Sequence, residues 1–467
     1  SIPTDCPQRN ERLGWAGDIS VFSRTATYLA DVPQFLRRYL RSMRDVQRTD
    51  GRFPDIAPLG GGFGGLLWGS AGITVPWECY QQYGDTILLS EHYDAMKRYI
   101  QYIIDNTIET ETNLIVQTRS WGDLCDWLGL EDEKNDKSLV WEAYFIYDLE
   151  LMAKMATVLG KVTDAEWFRE LHAARKDFFN KTYIEPETGK TLFSAFVPEK
   201  KGSHIDIQTS YVLPLAFNII DEENRNKVIA NLAETVRREN TTDRGQQCPS
   251  YSLMTGFIGT SWINKALSDY GHSDLAYRLL QQTSYPSWLY SIEQGATTIW
   301  ERLNSYTRTD GFGGNNRMNS FNHYSFGAVG AWMYNYSLGI QRDETFPGFK
   351  QFVLKPMPDP TGKMTYARGY YDSMYGRIES GWKVESGVIR YTFTVPANTT
   401  ATLYLPTASL RDVREKTKPV RKCKGVEFIS EGNGEVVLKL LSGSYSFEVK
   451  KDYPLAARKR KKYVFVR

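Results

Sequence analysis

The stretch DVPQFLRRYLRSMRDVQR, residues 31–48, shows the pattern that runs through most of this chain. Its apolar residues recur every three or four positions, at Phe35, Leu36, Tyr39, Leu40, Met43 and Val46. This spacing places them on one face of an α-helix, because an α-helix has 3.6 residues per turn. The stretch therefore predicts an amphipathic helix that buries one face.

The same spacing predicts further helices downstream. They are expected over residues 90–106, 139–159, 222–238, 262–271 and 273–282. Gly160 follows the second of them in the position of a glycine C-cap, and TDAE at 163–166 is typical of a capping box that starts the next helix. Two long glycine-rich segments, 60–72 and 309–322, are expected to be loops, and loops of that length are usually functional.

The pattern changes near residue 345. Alternating apolar and polar residues, as in VIRYTFTV at 388–395 and EVVLKL at 435–440, predict short strands separated by turns. Residues 346–467 are therefore expected to form a small antiparallel β-sandwich. Residues 1–345 have room for about twelve helices, which suits the inner and outer rings of an (α/α)6 toroid. The number of helices alone does not separate a toroid from an α-solenoid. The sequence shows no fixed repeat period, however, which argues weakly against a regular solenoid.

The composition excludes several classes of protein. Lys and Arg number 57 and Asp and Glu 55, a net charge of +2, so nothing indicates a nucleic-acid or anionic-membrane partner. No apolar run approaches the roughly 18–20 residues of a membrane-spanning helix. The 12 Trp, 29 Tyr and 22 Phe residues are too many for a disordered chain.

Motifs for metals and cofactors are also missing. The five cysteines and five histidines show neither paired CxxC nor HExxH spacing, so no zinc site is expected. An odd number of cysteines leaves at least one free thiol in a monomer. No GxGxxG follows a predicted strand, and GxxxxGK[ST] and GxSxG do not occur, so neither nucleotide binding nor a serine nucleophile is supported.

Acidic and aromatic residues concentrate in DCPQRNERLGWAGD, residues 5–18. The carboxyl groups of Asp5, Glu11 and Asp18 occur there together with Trp15. A solvated loop with ion pairs is one interpretation. The other is a sugar site, because carboxylates accept hydrogen bonds from hydroxyl groups and the apolar face of a pyranose stacks on tryptophan.

A second segment, GATTIWER at 295–302, supplies one more carboxyl group, Glu301. Taken alone, it fits a helix N-terminus whose glutamate interacts favourably with the helix dipole. Taken with the first segment, it would supply the second of the two carboxyls that glycoside hydrolysis needs. One protonates the leaving oxygen, and the other activates water across a gap of about 6.5–9.5 Å. Trp77 and Trp127 are weaker signals, since such tryptophans are as often structural, and a lone histidine such as His323 is usually structural.

Together these segments resemble the bacterial and fungal α-L-rhamnosidases of glycoside hydrolase family 78. The similarity rests, in the family's order, on residues 5–15, 253–260, 285–288, 295–302, 320–327 and 395–401. It implies an inverting glycoside hydrolase that removes terminal α-L-rhamnose. It also implies an (α/α)6 catalytic domain over 1–345 followed by a β-sandwich domain over 346–467.

The resemblance assigns roles to individual residues. Glu11 is expected to be the general acid and Glu301 the general base. The residues expected to bind the substrate are Asp5, Arg9, Trp15, Asp18, Trp77, Trp127, Trp288 and His323. Because chain termini fray unless they are tied down, Glu11 is expected to be loosely held.

The resemblance also implies a wider context. Family members carry β-sandwich domains before the toroid, so such domains are expected in the same full-length polypeptide. The expected partner is a carbohydrate substrate, an α-L-rhamnoside, without metal or cofactor, and this substrate class favours a secreted or periplasmic location. Two alternatives stay open. One is another (α/α)6 glycosidase, such as an α-glucosidase or trehalase-like enzyme, and the other is a non-catalytic glycan-binding relative.

Overall fold

The computed structural model describes residues 2–7, 11–118, 121–313, 319–415 and 418–450. The chain forms two compact units, one ending at Trp332 and the other starting at Met333. The first is helical and the second is built mainly from strands. This division falls before the expected boundary at 345/346, since the second unit already includes a strand that begins at Ile340.

The first unit is built from helices joined by loops. In chain order they are α1 (Ala16–Leu29), α2 (Pro33–Asp45), α3 (Leu66–Gly69), α4 (Ala71–Tyr83), α5 (Thr86–Thr107), α6 (Lys137–Val158), α7 (Val162–Tyr183), α8 (Gln208–Ala216), α9 (Glu222–Arg237), α10 (Phe257–Asp269), α11 (Ser273–Gln281), α12 (Trp288–Glu293) and α13 (Val329–Trp332). The short strands β1 (Asn240–Thr241) and β2 (Gln247–Cys248) pair between α9 and α10. Within the described ranges, no helix has the length and apolar character needed to cross a membrane.

Six elements form an inner ring. They are α1, α4, α6, α8, α10 and the closing segment, which we define as the 3₁₀ helix Ser325–Ala328 together with α13. Each contacts the next, and the closing segment contacts both α10 and α1, so the ring closes. The outer helices α2, α5, α7, α9 and α11 pack against this ring. The arrangement confirms the (α/α)6 toroid expected from the sequence.

The two layers differ in burial, as their sequences require. α6 is buried on all sides over most of its length, which is the environment of a helix inside a protein core. α2 instead buries one face, formed by Leu36, Tyr39, Leu40 and Met43 with Ser42. That face is the one predicted from the spacing of apolar residues in 31–48.

The ring is closed by tight contacts between α1 and the closing segment. The Thr25 hydroxyl donates to the Ala328 carbonyl at 3.0 Å and accepts from the N–H of Ala331 at 2.9 Å. A Cβ on Gly330 would lie only 2.6 Å from the Thr25 methyl group, so glycine allows this approach. Thr25 and Ala328 lie 303 positions apart, and the contact therefore joins the two ends of the helical unit.

Two local predictions for the start of α7 have different outcomes. Gly160 adopts a left-handed conformation with φ of +69°, which confirms the glycine C-cap. The predicted capping box is wrong, because α7 already begins at Val162 without a side-chain cap. Asp164 instead accepts hydrogen bonds from Tyr93 at 2.8 Å and from Lys97 at 2.7 Å on α5.

The second unit contains two β-sheets. Its strands are β3 (Ile340–Arg342), β4 (Gln351–Leu354), β5 (Tyr366–Ser373), β6 (Gly376–Glu385), β7 (Val388–Val395), β8 (Thr400–Leu405), β9 (Val413–Glu415), β10 (Lys418–Pro419), β11 (Val426–Gly432), β12 (Glu435–Leu440) and β13 (Gly443–Lys450). The sheet orders are β10-β9-β13-β7-β6-β5 and β11-β12-β8-β4-β3. Buried residues alternate along β7, β8 and β12, as in a β-sandwich. The expected antiparallel arrangement holds except between β4 and β8, which are parallel.

A buried ion pair joins α6 to α7 and generates a stability prediction. The Arg175 guanidinium donates to both carboxylate oxygens of Glu142 and to the Asn113 side chain, and the charged side chains are 4% and 0% exposed. We expect Arg175→Ala to lower the free energy of unfolding by about 3–5 kcal/mol, because it leaves a buried carboxylate unpaired. Urea unfolding followed by circular dichroism measures this change.

The matched control lies on the same helix. Lys181 pairs with Asp177 at 2.7 Å one turn away, but both side chains are mostly exposed. Lys181→Ala should therefore lower the free energy of unfolding by about 0.5 kcal/mol or less. Equal losses in the two variants would contradict the importance of the buried pair.

Candidate active site

One cavity in the helical unit collects most of the residues singled out in the sequence. Its lining includes Asp5, Glu11, Trp15, Asp18, Trp127, Glu301 and His323. It also includes four residues that were not predicted individually, Phe63, Trp68, Leu124 and Phe257. Trp77 and Trp288 are not among the lining residues, and Arg9 lies outside the described part of the chain.

The segment that follows Glu11 is tied by its backbone to the loop between α2 and α3. The N–H of Ala16 donates to the Asp55 carbonyl at 2.7 Å, and the N–H of Ala57 donates to the Gly14 carbonyl at 3.1 Å. A Cβ on Gly14 would lie 2.4 Å from the Ala57 oxygen, so this approach requires glycine. These bonds fix the start of α1, although it lies close to the first residue.

The Asp55 side chain holds the glycine-rich loop beside the cavity. Its carboxylate accepts from the N–H groups of Gly64 at 2.6 Å and Gly65 at 3.2 Å, and from the Trp121 indole at 3.0 Å. Burial raises the pKa of Asp55 to about 7, while these donors act to lower it. The segment 60–72 is a loop only as far as Gly65, because the apolar residues that follow are buried in α3 and α4.

Asp18 and His323 form a buried pair where the ring closes. The His323 Nε2 lies 2.8 Å from the Asp18 Oδ1, and the Ser325 hydroxyl donates to the same oxygen at 2.5 Å. Asp18 lies in the first turn of α1, whereas Ser325 begins the closing segment. Burial alone would lower the pKa of His323, but the hydrogen bond to Asp18 and the attraction of Asp18 and Glu301 raise it above its ordinary value.

Cys6 links Asp5 to His323. Its thiol donates to the Asp5 Oδ2 at 2.9 Å, and its Sγ lies 3.2 Å from the His323 Nδ1. Burial, followed by repulsion from Asp18, raises the pKa of Asp5 to about 6, although Cys6 and His323 act to lower it. Sequence analysis did not point to Cys6, because His323 lies 317 positions away.

Glu301 is placed by the pairing of two loop segments. The N–H of Glu301 donates to the Ser320 carbonyl at 2.9 Å, and the N–H of His323 donates to the Ile299 carbonyl at 2.9 Å. This pairing brings Glu301 and His323 to the same cavity, and only 2% of Glu301 is exposed.

Glu11 and Trp15 form a more exposed side of the cavity. The Trp15 indole N–H donates to the Glu11 Oε1 at 2.6 Å. The rings of Trp15 and Phe63 pack in a T-shaped arrangement with centroids 5.3 Å apart, and Phe63 is 58% exposed. Glu11 is itself exposed, so the two glutamates of the cavity lie in different environments.

Trp127 is positioned by its neighbour Asp126. The buried Asp126 carboxylate accepts from the Thr209 hydroxyl at 2.5 Å and from the N–H groups of Gly256 at 2.8 Å and Gly259 at 3.0 Å. A Cβ on Gly256 would lie 2.2 Å from the Trp127 carbonyl oxygen. The loop that carries Trp127 can therefore approach the start of α10 this closely only because residue 256 is a glycine. This network fixes one aromatic wall of the cavity.

Trp77 and Trp288 have other surroundings. Trp77 belongs to α4, and its ring contacts Tyr80 and the ammonium group of Lys154. Trp288 begins α12, and its indole N–H donates to the Phe326 carbonyl at 2.9 Å. The structure places both in the packing of the helical unit, away from the lining of the cavity.

The four lining residues that were not predicted individually have weaker signals in the sequence. Phe63 and Trp68 lie in the glycine-rich segment 60–72, whose composition marked the region without selecting either residue. Phe257 lies in the segment 253–260 that contributed to the family resemblance without being singled out, and Leu124 carries no functional signal, because an apolar residue in a helical protein is most often part of the core.

The cavity combines hydrogen-bonding groups with aromatic surface. Among the described residues, four carboxyl groups and one imidazole line it, together with aromatic rings and one leucine. Such a lining accepts hydrogen bonds from a polyhydroxylated ligand and packs against its apolar face. A buried and an exposed glutamate on one cavity also provide two separate groups for proton transfer.

Comparison with known families agrees with this architecture. Residues 1–337 match the bacterial alpha-L-rhamnosidase 6 hairpin glycosidase domain. Residues 339–419 match the bacterial alpha-L-rhamnosidase C-terminal domain. The two matches follow each other in the order of the two compact units.

Individual relatives extend the match along the chain. An alpha-L-rhamnosidase of Streptomyces avermitilis is 36% identical over 451 residues, covering 96% of this chain and 39% of the relative. An alpha-L-rhamnosidase of Formosa agariphila is 33% identical over 457 residues, covering 96% of this chain and 46% of the relative. The chain thus spans less than half the length of these relatives.

Solved structures show the same similarity. The Streptomyces avermitilis alpha-L-rhamnosidase complexed with L-rhamnose gives a TM-score of 0.81 at 35% identity, covering 96% of this chain and 39% of that one. The alpha-L-rhamnosidase from Dictyoglumus thermophilum gives a TM-score of 0.81 at 31% identity, covering 96% of this chain and 47% of that one. On these matches, the chain belongs to the bacterial α-L-rhamnosidase family.

Proposed function

We propose that this chain carries the catalytic unit of an enzyme that hydrolyses terminal α-L-rhamnose from glycans or glycosides with inversion, using Glu11 as general acid and Glu301 as general base. The observation that carries the proposal is the meeting of these two glutamates, far apart in the sequence, on one cavity lined by acids and tryptophans. The Streptomyces avermitilis relative was solved in complex with L-rhamnose, which supports rhamnose as the sugar.

The surroundings of the two glutamates suit different tasks. Glu11 is exposed and oriented by the Trp15 indole, so its carboxyl group can protonate a leaving oxygen that departs toward solvent. Glu301 is buried, so its carboxylate can hold a single water molecule and accept a proton from it. The water oxygen then bonds to the anomeric carbon as the bond to the leaving group breaks, which inverts the configuration.

The remaining polar residues suit recognition of sugar hydroxyl groups. Asp5, Asp18 and His323 all line the cavity. Within the described residues, the Asp5 Oδ1 is buried and has no hydrogen-bond partner, so it is available to accept from a ligand. Rhamnose carries a methyl group at C5 where hexoses carry a hydroxymethyl group, and an aromatic wall such as Trp127 favours that apolar substituent.

Replacing either glutamate tests the acid and base roles. We expect Glu301→Gln to lower kcat/KM for p-nitrophenyl α-L-rhamnopyranoside by about 10²–10⁴-fold, because glutamine cannot accept a proton from water. Glu11→Gln should slow hydrolysis of a natural rhamnoside by a similar factor, but should act less on the aryl substrate, whose leaving group needs little protonation. Initial rates on both substrates measure these effects.

Glu293→Gln is the control for these variants. Glu293 lies exposed at the end of α12 and does not line the cavity, so its replacement should leave both rates unchanged. Binding of L-rhamnose by the folded wild-type chain without release from either substrate would contradict catalysis and favour the glycan-binding alternative. The same rates on an α-glucoside would instead favour another (α/α)6 glycosidase.

The stereochemistry of the product is a separate prediction. Inversion of an α-L-rhamnoside should release β-L-rhamnose first, because water attacks the face opposite the leaving group. Proton NMR during the first minutes of hydrolysis identifies the anomer before it equilibrates. Initial release of the α-anomer would overturn the assignment of Glu301 as a base acting on water.

Trp127 lines the cavity and Trp77 does not, so replacing each of them gives a matched pair of variants. Trp127→Leu should raise the inhibition constant of L-rhamnose about three- to tenfold, because it removes an aromatic ring from the cavity. Trp77→Leu should leave that constant unchanged, since the Trp77 ring packs inside the helical unit. Competition with the aryl rhamnoside measures both constants, and an equal rise in both would argue against Trp127 as a wall of the sugar site.

A further inference from the structure

Three side chains of different ligand type meet beside the cavity, of which Asp5 and His323 line it and Cys6 is fully buried. The Cys6 Sγ lies 2.9 Å from the Asp5 Oδ2 and 3.2 Å from the His323 Nδ1. A sulfur, a carboxylate oxygen and an imidazole nitrogen from these residues all lie within 4.8 Å of one another, and all three side chains are buried. Thiolate, imidazole and carboxylate are the groups that Zn²⁺ binds in proteins.

The groups around these side chains resemble the hydrogen-bonding partners that orient the ligands of a metal site. A histidine that binds a metal through one ring nitrogen usually donates its other N–H to a carboxylate, which fixes its tautomer and orientation. His323 meets this condition, because its Nε2 lies 2.8 Å from the Asp18 Oδ1 while its Nδ1 faces Cys6. In addition, the Asp5 Oδ1 is buried without a hydrogen-bond partner among the described residues.

The charge of the cavity also favours a cation. Asp5, Glu11, Asp18 and Glu301 line it, whereas no Lys or Arg is found among its described lining residues. Several carboxylates around one partly enclosed space raise the local concentration of cations. The cavity therefore attracts positive charge before any specific bond forms.

We propose that Asp5, Cys6 and His323 bind a divalent cation of the Zn²⁺ type, with a fourth coordination position directed toward the cavity. Binding releases to solvent the thiol proton of Cys6 and the proton that His323 carries on Nδ1 when it is protonated; the thiolate, the Nδ1 lone pair and the ionised carboxylate of Asp5 then bind the ion. A sulfur and a nitrogen ligand disfavour Ca²⁺ and Mg²⁺, which prefer oxygen ligands.

The three ligand atoms must change their separations to accept the ion. Bonds of about 2.0–2.3 Å in a tetrahedron separate the ligand atoms by roughly 3.3–3.7 Å. The Cys6 sulfur must therefore move away from its two partners, and the Asp5 oxygen and the His323 nitrogen, which lie within 4.8 Å of each other, must take up the same spacing. Cys6 lies outside helices and strands, between residues of the N-terminal loop, where such a shift is feasible.

The metal would occupy groups that the proposed function assigns to the sugar. Asp5 and His323 cannot bind the ion and the sugar hydroxyls in the same way at once, so the cation should act as a reversible inhibitor that competes with L-rhamnose. This competition rests on the proposed function, whereas the metal site itself rests only on the three side chains and their surroundings.

The test uses Co²⁺ alone as a spectroscopic substitute for Zn²⁺ on the 467-residue chain. After treatment with a chelator, the wild-type chain should bind one Co²⁺ with a thiolate-to-metal absorption band in the near ultraviolet, and Zn²⁺ should displace it. Cys6→Ser should lose the band and bind Co²⁺ at least tenfold more weakly. Cys79→Ser, which replaces another buried cysteine on α4, should keep both properties.

The outcomes separate the proposal from its alternatives. Absence of the band in the folded wild-type chain, or its persistence in Cys6→Ser, would overturn the metal site and leave Cys6 as a hydrogen-bonding link. The wild-type measurement does not depend on whether the variant folds. Saturating L-rhamnose should weaken Co²⁺ binding at least tenfold. A band that forms through Cys6 but ignores L-rhamnose would overturn the competition, and a chain that binds Co²⁺ without hydrolysing rhamnosides would contradict only the proposed function.

Discussion

The assembly of the helical unit depends on a buried carboxylate, Asp18, at the point where the ring closes. Asp18 lies in the first inner helix, and burying its charge is strongly unfavourable unless hydrogen bonds and an opposite charge compensate. Its partners, His323 and Ser325, come from the other end of the unit. The ring must therefore close for Asp18 to be satisfied, and closing it assembles the cavity from both ends of the chain.

The chemistry of the cavity follows from unequal solvent access within a small space. Glu301 is buried beside paired loop segments, while Glu11 lies at the exposed side and accepts a hydrogen bond from the Trp15 indole. Between these extremes, burial and the charge of Asp18 raise the pKa of Asp5. Residues of one chemical type thus acquire distinct properties through their position. This difference is what a reaction with separate acid and base groups requires.

Much of this architecture could be predicted from the sequence, because the signals involved are local. The amphipathic helix at 31–48 is present as Pro33–Asp45, and the alternating residues near 388–395 form a strand. Acids grouped with tryptophans marked both halves of the cavity. Features that depend on distant partners were not predictable. The position of Cys6 beside His323 depends on a contact between residues that are far apart in the sequence. No local pattern distinguished Trp77, which packs inside the helical unit, from Trp127, which lines the cavity.

The closure of the ring also constrains how the protein is made. The entropy lost in joining two chain positions grows with their separation, and folds rich in such distant contacts form slowly. Because synthesis proceeds from the N-terminus, α1 emerges from the ribosome long before the closing segment that pairs with Asp18. The nascent helical unit must stay open until its last inner element is available. The two parts of the cavity lining therefore meet only after the closing segment has been made, and a chain that stops before Glu301 carries Asp5, Glu11 and Asp18 without Glu301 and His323.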